Sequence, residues 1–480
     1  MADMSSTKNP TALPPARATP PGVLAGAIAP TMLRLAWPTV VVLLVQTLVG
    51  VAETYFVSFL GTNALAGVAL VFPVLMLMQM MSNGGIGGGV SSAVARALGA
   101  GRRDDADALV WHSIVLAAGL GVIFTAAAMA GGPALYRAMG GTGPVLGAAL
   151  TYSAIVFAGS IPIWIVALLS AALRGAGNVK VPALVILAGV FILLPLSPAL
   201  IFGWGPFPRL GVAGGAAAVI VYYLVAVAML IGFLRSAGCP LRLRITPLSG
   251  RLFRDILGVG LLSAIGTVQA NLTVAFVTAA AGRFGRDAIA GYGIASRLDY
   301  LQIPILFGLG TAVVTMVGIN VGANQMARAR RIAWIGAAIG FGITETIGLL
   351  AATFPYGWLG LFSSDPAVLS LGALYLRTVA PVYGAIGLGM TLYFASQGAK
   401  HVLWPVLSGT ARMIVAAFIG WVAVARFGAS LATLFAIVAL SAILFGSITS
   451  VAILAGAWGR RPRGAAIPQS DPVAAARAGS

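Results

Sequence analysis

The sequence is short of nearly everything from which an active site or a water-facing surface is made. It has a single cysteine, Cys239, in 480 residues, so no internal disulfide can form and no thiolate metal or redox motif exists. Its two histidines, His112 and His401, stand far apart. No His, Cys or acid cluster has the spacing of metal ligands. No nucleophile–base pair can be assembled, so the sequence argues against an enzyme and offers no cofactor a site. Acids are the scarcer charge, 11 Asp+Glu against 29 Lys+Arg. All charged residues together make up 8% of the chain, about a third of the share in soluble domains.

What the chain has instead is apolar sequence, 59% of it, with a mean hydropathy of +0.99. Runs of eighteen or more such residues recur along its whole length, each long enough to cross a bilayer as a helix. Counting the runs between polar, glycine and proline breaks predicts twelve spans, from 32–59 to 430–457. The fold class expected is an all-α polytopic membrane protein. The net charge of +18 does not point to nucleic acid, because the basic residues sit in short clusters between spans. With both termini on one side, that side holds 21 Lys and Arg, whereas the other holds Arg137, Arg209, Arg283, Arg286 and Arg426. The positive-inside rule then places both termini in the cytoplasm. Residues 1–30 are broken by proline and lack a signal peptide's compact apolar core, and 458–480 are similar in composition. Both stretches are expected to be disordered cytoplasmic tails.

The two halves repeat. "LGTNALAG" (60–67) matches "FGRDAIAG" (284–291) at a spacing of 224. At a spacing of 223, "LGAG" (98–101) meets "VGAN" (321–324), and "RGAGNVKVP" (174–182) meets "QGAKHVLWP" (397–405). Matches kept in order over so long a stretch indicate duplication. Six spans per half means that both halves enter the membrane in the same sense, with a pseudo-two-fold axis along the membrane normal. The organisation expected is a first lobe at 31–236, a cytoplasmic linker at 237–253 and a second lobe at 254–457.

Together with "GGIGGGVSSAVARALGAGRRDDA" and its partner "GLGTAVVTMVGINVGANQMARAR", these segments resemble the MATE (multidrug and toxic compound extrusion) family of exporters. The resemblance runs from about residue 31 to 457. It implies two six-helix lobes facing a central cavity, in a monomer of the cell membrane, specifically a bacterial inner membrane. It also implies export of amphipathic, cationic organic molecules by alternating access, driven by inward movement of H⁺ or Na⁺.

Within spans the acids are Glu53, Asp299 and Glu345. A carboxylate at mid-bilayer costs a few kcal/mol on insertion scales, so such groups face a cavity or a partner. Glu53 falls where the family carries an acid in its first helix, usually aspartate, and it is the coupling residue this implies. Gln46 lies on the same helical face. For Asp299 and Glu345, coupling or substrate contact competes with a structural ion pair to Arg297 or Arg377. The family branch with a second first-lobe acid carries it in helix 5, where this chain has Ser197 before Pro198. The branch with a helix-7 glutamate is not matched either, since that segment offers Gln269 and Asn271. One acid makes a poor Na⁺ site, which favours H⁺.

"MLMQMMSNGG" surrounds Gln79 with methionines. Flexible side chains of this kind suit ligands of varied shape, and they suit core packing equally well. Met78, Gln79 and Tyr383 are therefore candidate substrate-lining residues, and Tyr152 and Ser160 of helix 4 are candidate contacts. "GGIGGGV" lacks the Lys-Ser/Thr of a phosphate loop and any strand context. Pro38, Pro162, Pro304 and Pro381 lie inside spans, where each removes a backbone donor and bends are expected. Intramembrane Arg297, Arg377 and Arg412 keep open a second reading, a flippase for a lipid-linked or anionic substrate.

Overall fold

Glycine and proline interrupt the apolar runs, and the helices break where those residues fall. The computed structural model describes residues 22–459, which form helices and connecting turns with no strand among the described residues. The spans are α1 (Ile28–Ser58), α2 (Thr62–Gly99), α3 (Arg103–Ala138), α4 (Gly143–Ala158 and Ser160–Gly175), α5 (Lys180–Phe202), α6 (Val212–Arg235), α7 (Gly250–Gly282), α8 (Arg286–Gly322), α9 (Met326–Thr353), α10 (Pro366–Ala399), α11 (Leu403–Phe427) and α12 (Leu431–Leu454). Eleven are single long apolar helices, and the two parts of α4 meet at 49°.

Two of the four prolines mark real breaks. Pro162 lies in the first turn after the α4 bend, where a missing donor costs little. Pro381 lies in a 3-10 turn, Ala380–Val382, that interrupts α10. Pro38 and Pro304 sit within continuous helix. In α2 the ladder widens to a π turn at Met81–Ile86. There Ser82 Oγ and Asn83 Nδ2 both donate to the Gln79 carbonyl, each at 3.1 Å. Side-chain donors that compete for one carbonyl loosen the regular register.

The duplication is visible in the backbone. Gly61 opens α2 at φ +95° and Gly285 opens α8 at φ +99°, values that penalise any residue with a Cβ. The turn after α2 is left-handed at Gly101 and the turn after α8 at Asn324, just as Gly177 is matched by Lys400. All three pairs stand at the spacing of the sequence repeat.

The first lobe comprises α1–α6 and the second α7–α12, and each lobe's first helix braces the other lobe. The beginning of α1, with Met32, Leu35 and Ala36, is buried in a core with Leu309, Val313 and Ala333 of the second lobe. Reciprocally, Leu252 and Ile256 of α7 are buried in the first lobe's core. The part of α2 from Gly87 to Gly99 packs on α8, α7 and α10 of the second lobe as well as on α3 and α4 of its own, whereas the part from Thr62 to Met80 packs chiefly on α4. The lobes are therefore joined at the end bearing residues 22 and 459, here the terminal end, and separate towards the other. The join is tight: a Cβ on Gly99 would stand 2.0 Å from the Ile319 carbonyl, and one on Gly322 2.2 Å from that of Arg96.

The ordered chain begins before the tail boundary expected at residue 30. Val23 is buried, and its carbonyl accepts from Asn320 Nδ2 at 3.2 Å. At the other end Trp458 is buried and donates to Ser396 Oγ at 3.2 Å. Proline content hid these two apolar anchors. Of the tails expected at 1–30 and 458–480, residues 1–21 and 460–480 lie outside the described residues. The segment between the lobes is packed onto α3: the Arg242 amide donates to Asp107 at 2.8 Å, and the Ser249 amide to His112 Nε2 at 2.8 Å.

Candidate functional site

The first-lobe centre lies in the half of α1 away from the terminal end. Beyond Val42 this half of α1 buries only Val57, and it packs on α5, α6 and the start of α2. Glu53 turns to that side. Its Oε2 accepts from Ser197 Oγ of α5 at 2.8 Å, and a Cβ on Gly215 of α6 would lie 3.9 Å from the same oxygen. Tyr152 of α4 is close by. Oε1 is buried without a protein partner. Among the described residues Glu53 forms no ion pair. One neutral hydroxyl therefore holds the carboxyl in place, and a proton can come or go without breaking a salt bridge. Gln46, two helical turns earlier, lies beside Tyr222 of α6, so the shared face expected from spacing is present. The serine that replaces the second acid is thus a direct neighbour of the first.

The second-lobe centre is built on Asp299 of α8. Its Oδ2 accepts from Tyr375 Oη of α10 at 2.7 Å, while Oδ1 is buried without a partner. Tyr292 stacks edge-on against Tyr375, with centroids 5.2 Å apart, and Phe435 of α12 closes the cluster. Tyr383 is buried facing the same carboxyl, and Arg412 of α11 lies near it while stacking on Phe445 at 5.7 Å.

Several expectations change here. Arg297 and Arg377 pair with neither Asp299 nor Glu345; they stack on Phe362 and Tyr356, each at 5.6 Å. Both arginines are exposed, and their long side chains lie over those rings. Met78 is fully buried in the first lobe's core, which is the packing alternative for the methionine cluster. Gln79 is half-buried. Tyr383 lines the Asp299 cluster and not an open cleft. Ser160 is buried at the α4 bend, its hydroxyl without a partner. Gln269 donates to Thr410 of α11 at 2.7 Å, whereas Asn271, on another face of α7, is exposed and donates to the Thr267 carbonyl at 2.9 Å. Sequence reasoning singled out neither Tyr292 nor Tyr375, and took Arg412 only as an intramembrane cation. Tyr292 stands two helical turns before Asp299 on α8, a same-face spacing that could have found it, whereas Tyr375 and Arg412 lie far from Asp299 along the chain, where no periodic signal reaches.

Glu345 is held by the backbone of α10. Its Oε2 accepts from the Gly384 amide at 2.7 Å, one of the donors left free where α10 restarts after its 3-10 turn. A glutamine keeps an acceptor oxygen there and an alanine does not. Glu345→Gln is expected to melt and export like the wild type. Glu345→Ala should lose about 1 kcal/mol, the usual worth of a cap, read as a lower thermal midpoint. A glutamine variant that folds but cannot export would instead mark Glu345 as a functional acid.

The arrangement resembles proteins already described. The MatE family model matches residues 38–199 and 263–422, one segment in each lobe. A probable multidrug resistance protein NorM of Thermotoga maritima is 27% identical over 377 residues, covering 78% of this chain and 81% of that protein. An FAD transporter of Shewanella oneidensis is 26% identical over 396 residues, covering 79% of this chain and 84% of its own. Among solved structures, a MATE in the bent conformation superposes with a TM-score of 0.83 at 25% identity, over 91% of this chain and 98% of the other.

Proposed function

Since the chain belongs to the MATE family of multi-pass membrane transporters, we propose that it is a secondary antiporter that exports amphipathic organic cations in exchange for H⁺. The observation that carries this reading is Glu53, a carboxyl held by one neutral hydroxyl in the half of the molecule where the lobes separate. Protonation there would alter how α1 packs on α5 and α6. Because α1 also braces the second lobe through Met32 and Ala36, that change reaches the closed end. Drug and proton would then compete, and their coupling is reciprocal. H⁺ is favoured over Na⁺ because one carboxylate and one hydroxyl make a sparse ligand set for a metal cation. The asymmetry of basic residues supports a cytoplasmic terminal end. On that orientation the cleft faces outward. Asp299 is a second candidate for proton exchange.

The test is dye export from proteoliposomes under an imposed pH gradient and, separately, a Na⁺ gradient. The pH gradient is expected to drive export; export driven by Na⁺ alone would overturn the proton assignment. The relative named as an FAD transporter favours a second reading, an anionic substrate. Competition between an organic cation and an anionic lipid for the purified protein separates the two.

A further inference from the structure

At the seam between the lobes lies a small void, lined among others by Ser91, Arg174, Phe307, Thr311, Phe394 and Gln397. It has room for about one water-sized particle. Arg174 ends α4 in the first lobe and Gln397 ends α10 in the second; they are partners in the sequence repeat, so the void sits on the pseudo-two-fold axis. Arg174 is 6% exposed and Gln397 0%. Three of the lining polar groups are buried without a protein partner: Arg174 Nε, Ser91 Oγ and Gln397 Oε1. The amide of Gln397 is anchored, its Nε2 donating to Ser263 Oγ at 3.0 Å and to the Gly84 carbonyl at 3.2 Å. No acid reaches the guanidinium: among the described residues Arg174 forms no ion pair within 4.0 Å.

A buried cation without a counter-charge costs several kcal/mol. The carbonyl end of α4 offsets part of this, since a basic residue in the last turn meets the negative end of the helix dipole. The rest calls for an anion. We propose that this void binds one small monovalent inorganic anion of the chloride class, held by the Arg174 guanidinium and the Ser91 hydroxyl. Larger organic anions do not fit so small a void. Since the walls come from both lobes, the anion binds the closed seam and not the parted one, and it therefore stabilises closure of the terminal end by mass action. This site is separate from Glu53 and Asp299 and does not depend on what is exported.

The test uses the purified full chain in detergent at constant ionic strength, with chloride exchanged stepwise for gluconate. Chloride is expected to raise the thermal midpoint by several degrees and to saturate, with bromide substituting for it. Arg174→Gln should lose that response, and Arg174→Lys should keep part of it. Crystals grown in bromide should show an anomalous peak between Arg174 and Ser91. Equal midpoints in chloride and gluconate would overturn the proposal, as would an undiminished chloride response in Arg174→Gln or a void occupied by water only. If Arg174→Gln does not fold, the bromide map of the wild type decides alone.

Discussion

Glu53→Gln is expected to abolish export driven by a pH gradient while leaving the dye bound. The amide is isosteric and can still accept from Ser197 Oγ, which holds the carboxyl at 2.8 Å, so the packing of α1 on α5 should survive. What disappears is the ability to exchange a proton. Without differential proton affinity the two conformations have no means of sensing the gradient, because a ligand shifts an equilibrium only by its differential affinity for the states. Dye affinity should stay within about threefold of wild type, roughly 0.7 kcal/mol, and should lose its dependence on pH. Ser197→Ala is the graded companion: losing one neutral hydrogen bond, worth about 1 kcal/mol, should displace the pH midpoint of export by less than about one unit without stopping it. If Glu53→Gln exports normally, the carboxyl only fastens α1 to α5, and Asp299 becomes the residue to replace.

Apolar runs and two-half spacing are local or periodic signals, so the twelve spans, the duplication and the face shared by Gln46 and Glu53 could be read without coordinates. The repeat even paired Arg174 with Gln397. The spacing could not say that these two meet across a void, because that depends on how the lobes close. The partners of Asp299 were hidden for the same reason: Tyr375 comes from another helix, and a hydrogen bond across 76 residues leaves no periodic trace. Arg297 and Arg377 were misread because opposite charge in one apolar region suggests pairing, while their side chains are long enough to reach Phe362 and Tyr356 instead. Glu345 showed as an intramembrane acid whatever its task. Its hydrogen bond from the Gly384 amide, just beyond the 3-10 break at Pro381, exists only in the fold.

The second large effect concerns the closed end. Asp255 of α7 sits between two cations, Arg96 Nη2 of α2 at 3.0 Å and Lys400 Nζ after α10 at 2.5 Å. Arg96 also donates to Ser92 Oγ, which in turn donates to the Gln397 carbonyl across the seam. The side chains of Arg96 and Asp255 are 10% and 23% exposed, so the pair lies between the surface limit of about 0–1 kcal/mol and the buried limit of about 3–5 kcal/mol. Asp255→Asn leaves both cations without their carboxylate and should weaken closure by about 2 kcal/mol, a roughly thirtyfold larger population with the seam parted. A cysteine at Thr315 reports this, because its hydroxyl now donates to the Arg174 carbonyl of the other lobe at 2.9 Å and is buried. In a chain with Cys239→Ala, Thr315→Cys should react slowly with a maleimide, and Asp255→Asn should speed the reaction by about the same thirtyfold factor. Asp105→Asn is the control, since Arg251 and Arg102, its partners, are 60% and 51% exposed and such pairs contribute little. Equal labelling in all three chains would mean that backbone contact at Gly99 and Gly322 holds the end shut, and that the ion pairs across it set only its register.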